Sequence, residues 1–330
     1  MSLVEIKDKE VWNSRVQNCL DYNLYQSYEW GELKIREGWR LKRFIVEGTS
    51  GFSLVQCLEK KIMQFNFVWI PGGPLLSSNS AITVLGDLLS GINEYYMGNG
   101  RLSYIRLNCQ VRSFPELSIV FRDCGFQDPF FRIATNFTYI ANEDYFKNIE
   151  TQLSSNWRHN LKRSFKNEFK LSIKYNLDDI EKIFEIYNKM VDIKKIDKNR
   201  TLEQLRNLYY IMNGNIVTFV VHKESESVSA RIILIYGNKA FDFLAATSSE
   251  GRKEYASYFL VYNMLKWCSE NKISSFDFSG VEPFKAKGVY HFKRGTGAQL
   301  IEFAGEKEKA SSSAIRIICN LMFYFNRVGG

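Results

Sequence analysis

The order of the predicted elements in the second half of the chain is the feature that most constrains the fold. In this half, the segments 216–222, 229–236 and 240–247, joined by turn signals at 225–227 and 237–238, predict strands, 255–270 predicts a helix and 275–278 predicts another strand. In the first half, the corresponding segments are strands at 41–47, 52–60 and 64–69, a helix at 81–96 and a strand at 104–107. Each half therefore predicts an antiparallel meander, a helix and a further strand, which indicates an α+β protein built from two similar units.

The element order of the second half resembles the GNAT acyltransferase core, in which two strands separate and acyl transfer takes place in the gap. We therefore predict an α+β fold with mostly antiparallel sheets flanked by helices, in which the second half is GNAT-like. The first domain is predicted over 1–143, joined by a C-terminal helix within 306–330, and the second over 144–305. No segment sustains heptads, so we predict no coiled-coil arm.

The chain is basic, with a net charge of +8 and a pI near 9.0, which favours an anionic partner such as a phosphate-bearing substrate, RNA or an acidic membrane surface. Its six cysteines have no C-x-x-C spacing, and the three histidines have no metal or triad spacing, so we predict no metal site. No run has the order of a signal peptide or the length of a membrane-spanning helix. We therefore expect a cytoplasmic protein.

Residues 276–297 contain the most suggestive chemistry of the chain. An aromatic and polar alternation at the start predicts a strand end, and the glycines that follow predict a loop that carries Lys285, Lys287, Lys293 and Arg294. Such a loop is suited to an anionic ligand, but an ordinary basic surface loop has the same composition. The residues alone leave both interpretations open.

Several motifs, taken together and in this order, resemble those of the FemABX-type aminoacyltransferases, which extend the peptide of peptidoglycan precursors. They are Gln26-Ser27-x-x-Trp30-Gly31-x-x-Lys34, Pro71-Gly72-Gly73-Pro74, Trp157-Arg158-His159-Asn160-Leu161-Lys162-Arg163, Asp277-Phe278-Ser279-Gly280-Val281 and Phe292-Lys293-Arg294-Gly295-Thr296-Gly297. The resemblance implies an α+β fold of two tandem GNAT-like domains, with the C-terminal helix packing on the first. It also implies transfer of an aminoacyl group from aminoacyl-tRNA to an amine of a phosphate-bearing muropeptide. The implied partners are this tRNA and a UDP-muropeptide or lipid-linked precursor, with no DNA and no cofactor.

The resemblance also implies roles for individual residues. Phe292 and Lys293 would lie at the reacting centre, where Lys293 would stabilise the oxyanion that forms on the acyl carbonyl. Lys34 would contact the diphosphate of the acceptor, and Arg36 follows it in the same predicted helix. The remaining candidates for substrate binding are Lys194 or Lys195, which replace a Thr-x-Arg segment of the family, Tyr255, Tyr258 and Asp277.

Two of these assignments leave a structural alternative open. Asp277 could orient the attacking amine, or it could cap the turn that follows its strand. The basic helix could bind tRNA phosphates, or it could be a solvated helix face. The residues concerned in this helix are Arg158, Lys162, Arg163 and Lys166.

Two other functions remain open at this point. A coenzyme-dependent GNAT N-acyltransferase acting on an envelope sugar or amine is one, although 248–253 lacks the paired glycines that receive a pyrophosphate in such enzymes. The other is an inactive GNAT-like module that binds RNA or lipid. The segment 310–328 has apolar residues at helical spacing, which predicts a helix that packs on the protein or contacts a membrane surface at the inner face of the membrane.

Overall fold

The computed structural model describes residues 2–178, 180–194, 200–284 and 286–328. The strands, in chain order, are β1 (Val4–Glu5), β2 (Arg40–Gly48), β3 (Gly51–Ile62), β4 (Phe65–Gly72), β5 (Leu75–Leu76), β6 (Ser103–Arg112), β7 (Phe137–Asn142), β8 (Phe169–Lys174), β9 (Ile216–Lys223), β10 (Glu226–Tyr236), β11 (Lys239–Thr247), β12 (Ser275–Gly280) and β13 (Gln299–Ala310). The helices are α1 (Lys9–Gln17), α2 (Tyr28–Arg36), α3 (Ile82–Met97), α4 (Pro115–Asp123), α5 (Glu143–Lys147), α6 (Ile149–Gln152), α7 (Ser155–Ser164), α8 (Ile180–Lys194), α9 (Leu202–Ile211), α10 (Ser249–Lys253), α11 (Ala256–Glu270), α12 (Lys287–Gly295) and α13 (Ser313–Val328).

The chain divides into two compact units. The first comprises Met1–Asn136 with Glu302–Gly330, and the second comprises Phe137–Ile301. The longest helices in the described ranges, α3 and α13, have 16 residues each, which is shorter than a coiled-coil arm of three heptads. None of the helices described combines the length and the apolar character needed to cross a bilayer.

The first unit contains a sheet with the strand order β1-β2-β3-β4-β6-β13. Its meander β2-β3-β4 is antiparallel, and α3 then leads to β6, which pairs with β4 in parallel from Asn66↔Ser103 to Gly72↔Cys109. The predicted strands and helix of the first half are thereby confirmed. The sequence analysis missed β13, whose polar run Glu306-Lys307-Glu308-Lys309 does not alternate like a half-buried strand.

A buried ion-pair network explains the charges of β13. Arg106 on β6 is fully buried and forms ion pairs with Glu306 and with Glu308, the latter at 3.3 Å. Glu308 also accepts hydrogen bonds from Arg316 and Asn320 on α13, at 2.6 and 2.9 Å. Because every buried carboxylate here has several donors, the charges are compensated, and the network connects β6, β13 and α13.

The second unit contains a sheet with the strand order β7-β12-β11-β10-β9-β8. The meander β9-β10-β11 is antiparallel, and α11 leads to β12, which pairs with β11 in parallel. A buried cluster that includes Trp157, Phe219, Leu260, Phe276 and Phe278 packs α7 and α11 against this sheet. The strands and helices predicted for the second half are confirmed, except around residue 290.

The segment around residue 290 is a helix, and its predicted loop character was wrong. Residues 287–295 form α12, so Lys293 is held by regular backbone rather than by a mobile turn. Tyr290 and Phe292 pack against the core of the second unit, whereas His291 is exposed. The glycines had suggested a loop, but only Gly297, after the helix, has a positive φ of 77°.

Candidate active site

The two parallel strands of the second unit separate soon after they meet. β11 and β12 pair only from Lys239↔Ser275 to Phe241↔Asp277, whereas β11 continues to Thr247 and β12 to Gly280. The equivalent strands of the first unit stay paired over seven residues. The separation leaves backbone and side-chain groups of both strands facing a gap, as in the GNAT-like arrangement expected from the sequence.

The end of β12 is held in an unusual conformation at the gap. Ser279 has a positive φ of 62°, which is uncommon for a residue with a side chain. Asp277 stabilises this turn because its Oδ1 accepts hydrogen bonds from the Ser279 backbone N–H at 2.7 Å and from the Thr138 hydroxyl. The Ser279 hydroxyl donates to the backbone carbonyl of Asp242 on β11. Asp277 therefore has a capping role in this structure, with its carboxylate directed at its own turn.

Lys293 reaches this turn from α12. Its ammonium Nζ donates hydrogen bonds to the backbone carbonyls of Ser279 at 3.2 Å and Gly280 at 3.0 Å, and only 8% of the residue is exposed. An ammonium group has three N–H donors, so two of them fix the group and the third is available for a ligand. The lysine is a fixed cation at the mouth of the gap.

Burial controls the titration of both charged groups at the turn. Desolvation lowers the pKa of Lys293 below its usual value, while the Asp242 and Asp277 carboxylates raise it and Arg231 lowers it further. Desolvation also raises the pKa of Asp277, against the hydrogen bonds from Thr138 and Ser279 and the charge of Lys293. Desolvation therefore disfavours the charged form of both groups.

Arg231 on β10 and Asp242 on β11, which both act on the pKa of Lys293, form an ion pair. Arg231 Nη1 lies 3.1 Å from Asp242 Oδ2, and both side chains are more than nine-tenths buried. The sequence analysis did not identify either residue. The signal was available, because Arg231 interrupts the apolar run of a central strand, where an unpaired charge would be very costly.

Phe292, which precedes Lys293 on α12, belongs to a group of packed aromatic rings. Phe292 packs with Tyr258 and Trp157 at centroid distances of 5.0 and 5.7 Å, and Tyr258 packs with Trp157 at 4.9 Å. Tyr255, which precedes α11 with a positive φ of 65°, lies 5.9 Å from Tyr258. The structure therefore brings together Phe292, Tyr255 and Tyr258, three of the residues predicted to form the site.

The end of α12 fits tightly against the helices of the same unit. A Cβ atom at Gly295 would lie 2.9 Å from the Trp157 ring, and one at Gly297 would lie 1.9 Å from the backbone oxygen of Gln152. The Gly295 carbonyl also accepts the backbone N–H of Ser154 at 2.9 Å. Both glycines of the Phe-Lys motif are thus explained by close packing that places α12 and its lysine.

The basic helix α7 lies beside this aromatic group. Ser154 caps α7, and its buried residues Trp157 and Leu161 face the core. The four cations predicted to contact tRNA are all exposed, and the guanidinium of Arg163 stacks 4.3 Å above the Tyr255 ring. One end of this basic surface is therefore in contact with the residues around the gap.

The predicted acceptor-binding cations of the first unit have other contacts. Lys34 forms an ion pair with Glu37 at 2.6 Å and lies 4.8 Å above the Trp30 ring. Arg36 is exposed and lies two residues further along α2, so the two side chains leave the helix on different sides. A diphosphate at Lys34 would compete with Glu37.

Lys195 lies outside the described residues, as does the side chain of Lys194 at the end of α8. Shortly after this segment, the Arg200 guanidinium stacks 3.9 Å above the Phe243 ring, next to Asp242 on β11. The sequence analysis missed this arginine because the expected motif was placed before residue 196. Its planar fork is the group that suits a phosphate or carboxylate.

The two N-terminal motifs are joined to each other in the first unit. The fully buried Gln26 donates to the Pro71 carbonyl at 2.7 Å and accepts the Gln56 backbone N–H at 2.6 Å, while Asn23 donates to the Gly72 carbonyl at 2.8 Å. Gly72 has a φ of 74°, and a Cβ atom there would overlap Asn23. Both motifs are thus structural connections of this unit.

A surface cavity of about 350 Å³ in the second unit does not coincide with the gap. Its lining includes Glu150, Tyr262 and Lys266 but none of the gap residues described above. The Tyr262 hydroxyl donates to Glu150, and burial followed by this carboxylate raises the pKa of Tyr262 to about 12. A phenol that stays protonated near neutral pH is a poor general base. The gap is therefore a better candidate for the active site than this cavity.

Comparison with known proteins agrees with this geometry. The model of the FemAB family matches residues 137–314, which is more than half of the chain and includes the whole gap with Asp277, Phe292 and Lys293. The chain belongs to the FemAB family. The resemblance inferred from the sequence motifs is confirmed.

The sequence identity between this FemAB family member and a curated relative is low. A UDP-N-acetylmuramoylpentapeptide-lysine N(6)-alanyltransferase of Weissella viridescens is 23% identical over 129 residues, which cover 39% of this chain and 38% of that enzyme's length. The match therefore spans well under half of the relative.

Similarity in structure extends over nearly the whole chain. The crystal structure of FemX aligns with a TM-score of 0.83 at 16% identity, covering 97% of this chain and 100% of FemX. A tandem GNAT protein from the clavulanic acid biosynthesis pathway aligns with a TM-score of 0.56 at 8% identity, covering 94% and 98%. This FemAB family member has the predicted α+β fold of two tandem GNAT-like domains.

Proposed function

We propose that this protein is an aminoacyltransferase that moves an aminoacyl group from aminoacyl-tRNA to an amine of a phosphate-bearing peptidoglycan precursor, as a step in forming a peptidoglycan cross-bridge. The observation that carries the proposal is the buried ammonium of Lys293, which is fixed at the gap between β11 and β12 within the segment that matches the FemAB family. An oxyanion that develops on an acyl carbonyl in the gap would accept the third N–H of Lys293.

The acceptor is proposed to be a UDP-linked or lipid-linked muropeptide with a free amine. The relative from Weissella viridescens is named for alanyl transfer to the N(6) of a lysine in UDP-N-acetylmuramoylpentapeptide, which supports this class of acceptor. Lys34 is the proposed contact for the diphosphate, for which it supplies positive charge. Tyr255 and Tyr258 are proposed to contact the substrate near Phe292.

A tRNA-linked donor is favoured over an acyl-coenzyme A by the turn that precedes α11. Ser248 accepts the Gly251 N–H at 3.0 Å, so this backbone donor already has a partner. Glu250 places a carboxylate in the first turn of α10, where a pyrophosphate would need positive charge. In contrast, the exposed cations of α7 suit the phosphates of a tRNA acceptor stem.

Contact with a membrane surface is proposed as a second property, which would bring the protein to a lipid-linked acceptor at the cytoplasmic face. Helix α13 is apolar on two sides: Ile315 and Cys319 pack with Phe65, Phe67 and Tyr104, and the other side carries exposed apolar residues. At 100° per residue these exposed residues form one arc. They are Ile317, Ile318, Leu321, Met322, Tyr324 and Phe325.

A comparison of acyl donors in separate reactions tests the proposal. The purified protein is given UDP-N-acetylmuramoylpentapeptide with a mixture of alanyl-, seryl- and glycyl-tRNA in one reaction, and acetyl-coenzyme A in another. We expect a mass increase of one aminoacyl residue with charged tRNA and none with the coenzyme. Transfer from the coenzyme alone would replace this proposal by a coenzyme-dependent N-acyltransferase, and binding of RNA or lipid without any transfer would indicate an inactive module.

A further inference from the structure

Five buried side-chain polar atoms of the second unit have no hydrogen-bond partner among the described residues, and two of them belong to the ion pair of Arg231 and Asp242. They are Oδ1 of Asp242 and Nη1 of Arg231. The side chains are 8% and 9% exposed, and their ion pair joins Arg231 Nη1 to the other carboxylate oxygen of Asp242, Oδ2. Buried polar side-chain atoms in native proteins are nearly always satisfied, so an orphaned carboxylate oxygen beside a gap requires a donor from water or from a ligand.

The position of Asp242 places this oxygen beside the proposed chemistry. Asp242 is the first residue of β11 beyond the last pair with β12, Phe241↔Asp277. Its backbone carbonyl accepts the hydroxyl of Ser279, the residue whose own carbonyl holds Lys293 Nζ. After burial, Asp242 is the largest influence on the pKa of Lys293. The carboxylate and the ammonium therefore belong to opposite edges of the same gap.

The charges around the gap determine which donor fits. Arg231 and Lys293 are cations, Asp242 and Asp277 are acids, and the Asp277 carboxylate is already used by Thr138 and Ser279. A second ammonium beside Asp242 would face two buried cations at short range, which is costly in a low-dielectric site. A neutral primary amine donates N–H to Oδ1 without that penalty, and its lone pair remains free.

We propose that Asp242 binds and orients the primary amine that attacks the acyl carbonyl, through an N–H hydrogen bond to Oδ1, and that Arg231 fixes the carboxylate. This inference rests on the proposed function. The amine nitrogen forms the new C–N bond while the ester C–O bond breaks, and the ribose oxygen that leaves takes up the proton released by the nitrogen. Asp242 keeps its charge throughout, and Lys293 contacts the oxyanion.

Acceptor selectivity tests the inference. UDP-N-acetylmuramoylpentapeptide and the same compound acetylated on its lysine N(6) are titrated by calorimetry into wild type and into Asp242→Asn. We expect wild type to prefer the free amine by about tenfold, because the acetyl group makes the nitrogen planar and bulky and keeps its remaining N–H from reaching Oδ1, so that one hydrogen bond to a charged group is not formed. Asp242→Asn should lose most of this preference. Asp242→Glu should restore part of it. An unchanged preference in Asp242→Asn would overturn the inference.

The α-amine of the aminoacyl-tRNA is the other primary amine that could bind to Asp242. Transfer from alanyl-tRNA and from lactyl-tRNA, which has a hydroxyl in place of the α-amine, is compared in wild type and Asp242→Asn. We expect the ratio of the two kcat/KM values to be unchanged by the substitution. A loss of discrimination between these donors, with the preference for the free acceptor amine retained, would assign Asp242 to the donor and overturn the inference.

Controls separate a local effect from misfolding and from failure of the proposed function. Glu308→Gln, a buried carboxylate of the first unit, is the matched control and should keep the preference for the free amine. Arg231→Lys, which keeps the buried charge but loses the fork, replaces Asp242→Asn if that variant does not fold, and should weaken the preference. If wild type binds neither muropeptide, thermal shifts with 1,5-diaminopentane and its diacetyl derivative test the amine site on their own. Equal shifts would overturn it.

Discussion

Lys293 is surrounded by charged groups from three strands: Arg231 on β10, Asp242 on β11 and Asp277 on β12. Burial lowers its pKa, and the role proposed for it requires the protonated form. We therefore expect kcat/KM to fall as pH rises through a value below the ordinary lysine pKa of 10.5. In Asp242→Asn this alkaline limb should move to lower pH, because a carboxylate that stabilises the ammonium is gone. Rapid-quench rates from pH 6 to 10.5 measure the alkaline limb of wild type and of Asp242→Asn. An alkaline limb at the same pH in both proteins would contradict this electrostatic account.

The roles of individual residues were only partly readable from the sequence. Lys293 and Phe292 were identified through their resemblance to a family motif; Lys293 reaches the turn at the end of β12, and Phe292 packs against Trp157 and Tyr258. Arg231 and Asp242 were not, because a pair formed between two strands has no fixed spacing along the chain. From the sequence, Asp277 could either orient the amine or cap the turn after its strand. In the structure its carboxylate accepts the Ser279 N–H and so caps this turn.

At the level of elements, the residues that follow α12 determine the position of this helix and of Lys293 on it. Gly297 has a φ of 77°, and a Cβ atom there would lie 1.9 Å from the Gln152 carbonyl. We expect Gly297→Ala to lower the free energy of unfolding by about 2 kcal/mol or more, through left-handed strain and overpacking, and to reduce transfer. Urea unfolding and steady-state rates measure the two effects.

Gly288, near the start of α12, provides the matched control. A Cβ atom there would have no neighbour within 4 Å among the described residues, and its φ is not positive. Gly288→Ala should leave stability unchanged or raise it by up to about 1 kcal/mol, because alanine favours a helix. Equal destabilisation by both substitutions would show that the packing of Gly297 on Gln152 is not what holds α12.

The elements themselves were largely predictable, and the exceptions have physical causes. Strands rich in apolar and β-branched residues and bounded by turn signals, such as β2, β3 and β9, follow directly from the sequence. β13 was missed because its buried Glu306 and Glu308 are compensated by Arg106, a partner about 200 residues away in the chain. α12 was missed because its glycines and cations suggest a loop, while its packing partners lie on α6 and α7.

At the scale of the whole molecule, the exposed apolar side of α13 offers a test of membrane contact. We expect co-sedimentation with vesicles containing phosphatidylglycerol, and a loss of about tenfold in partitioning for Leu321→Ser with Phe325→Ser, because two exposed apolar side chains would no longer be buried in lipid. Ile119→Ser, an exposed apolar residue on α4, is the control. Equal binding by the double variant and wild type would contradict a role for α13.

The central claim is that the gap between β11 and β12 transfers an aminoacyl group and that Lys293 stabilises its oxyanion. The most direct measurement is the single-turnover rate of transfer from charged tRNA to the muropeptide in wild type, Lys293→Met and Arg294→Met. Removing one oxyanion donor commonly lowers the rate by about 10²–10³-fold, and we expect this loss in Lys293→Met with near-normal binding of both substrates. The exposed neighbour Arg294 should tolerate its substitution with a change of less than about threefold. Equal rates for wild type and Lys293→Met would contradict the account.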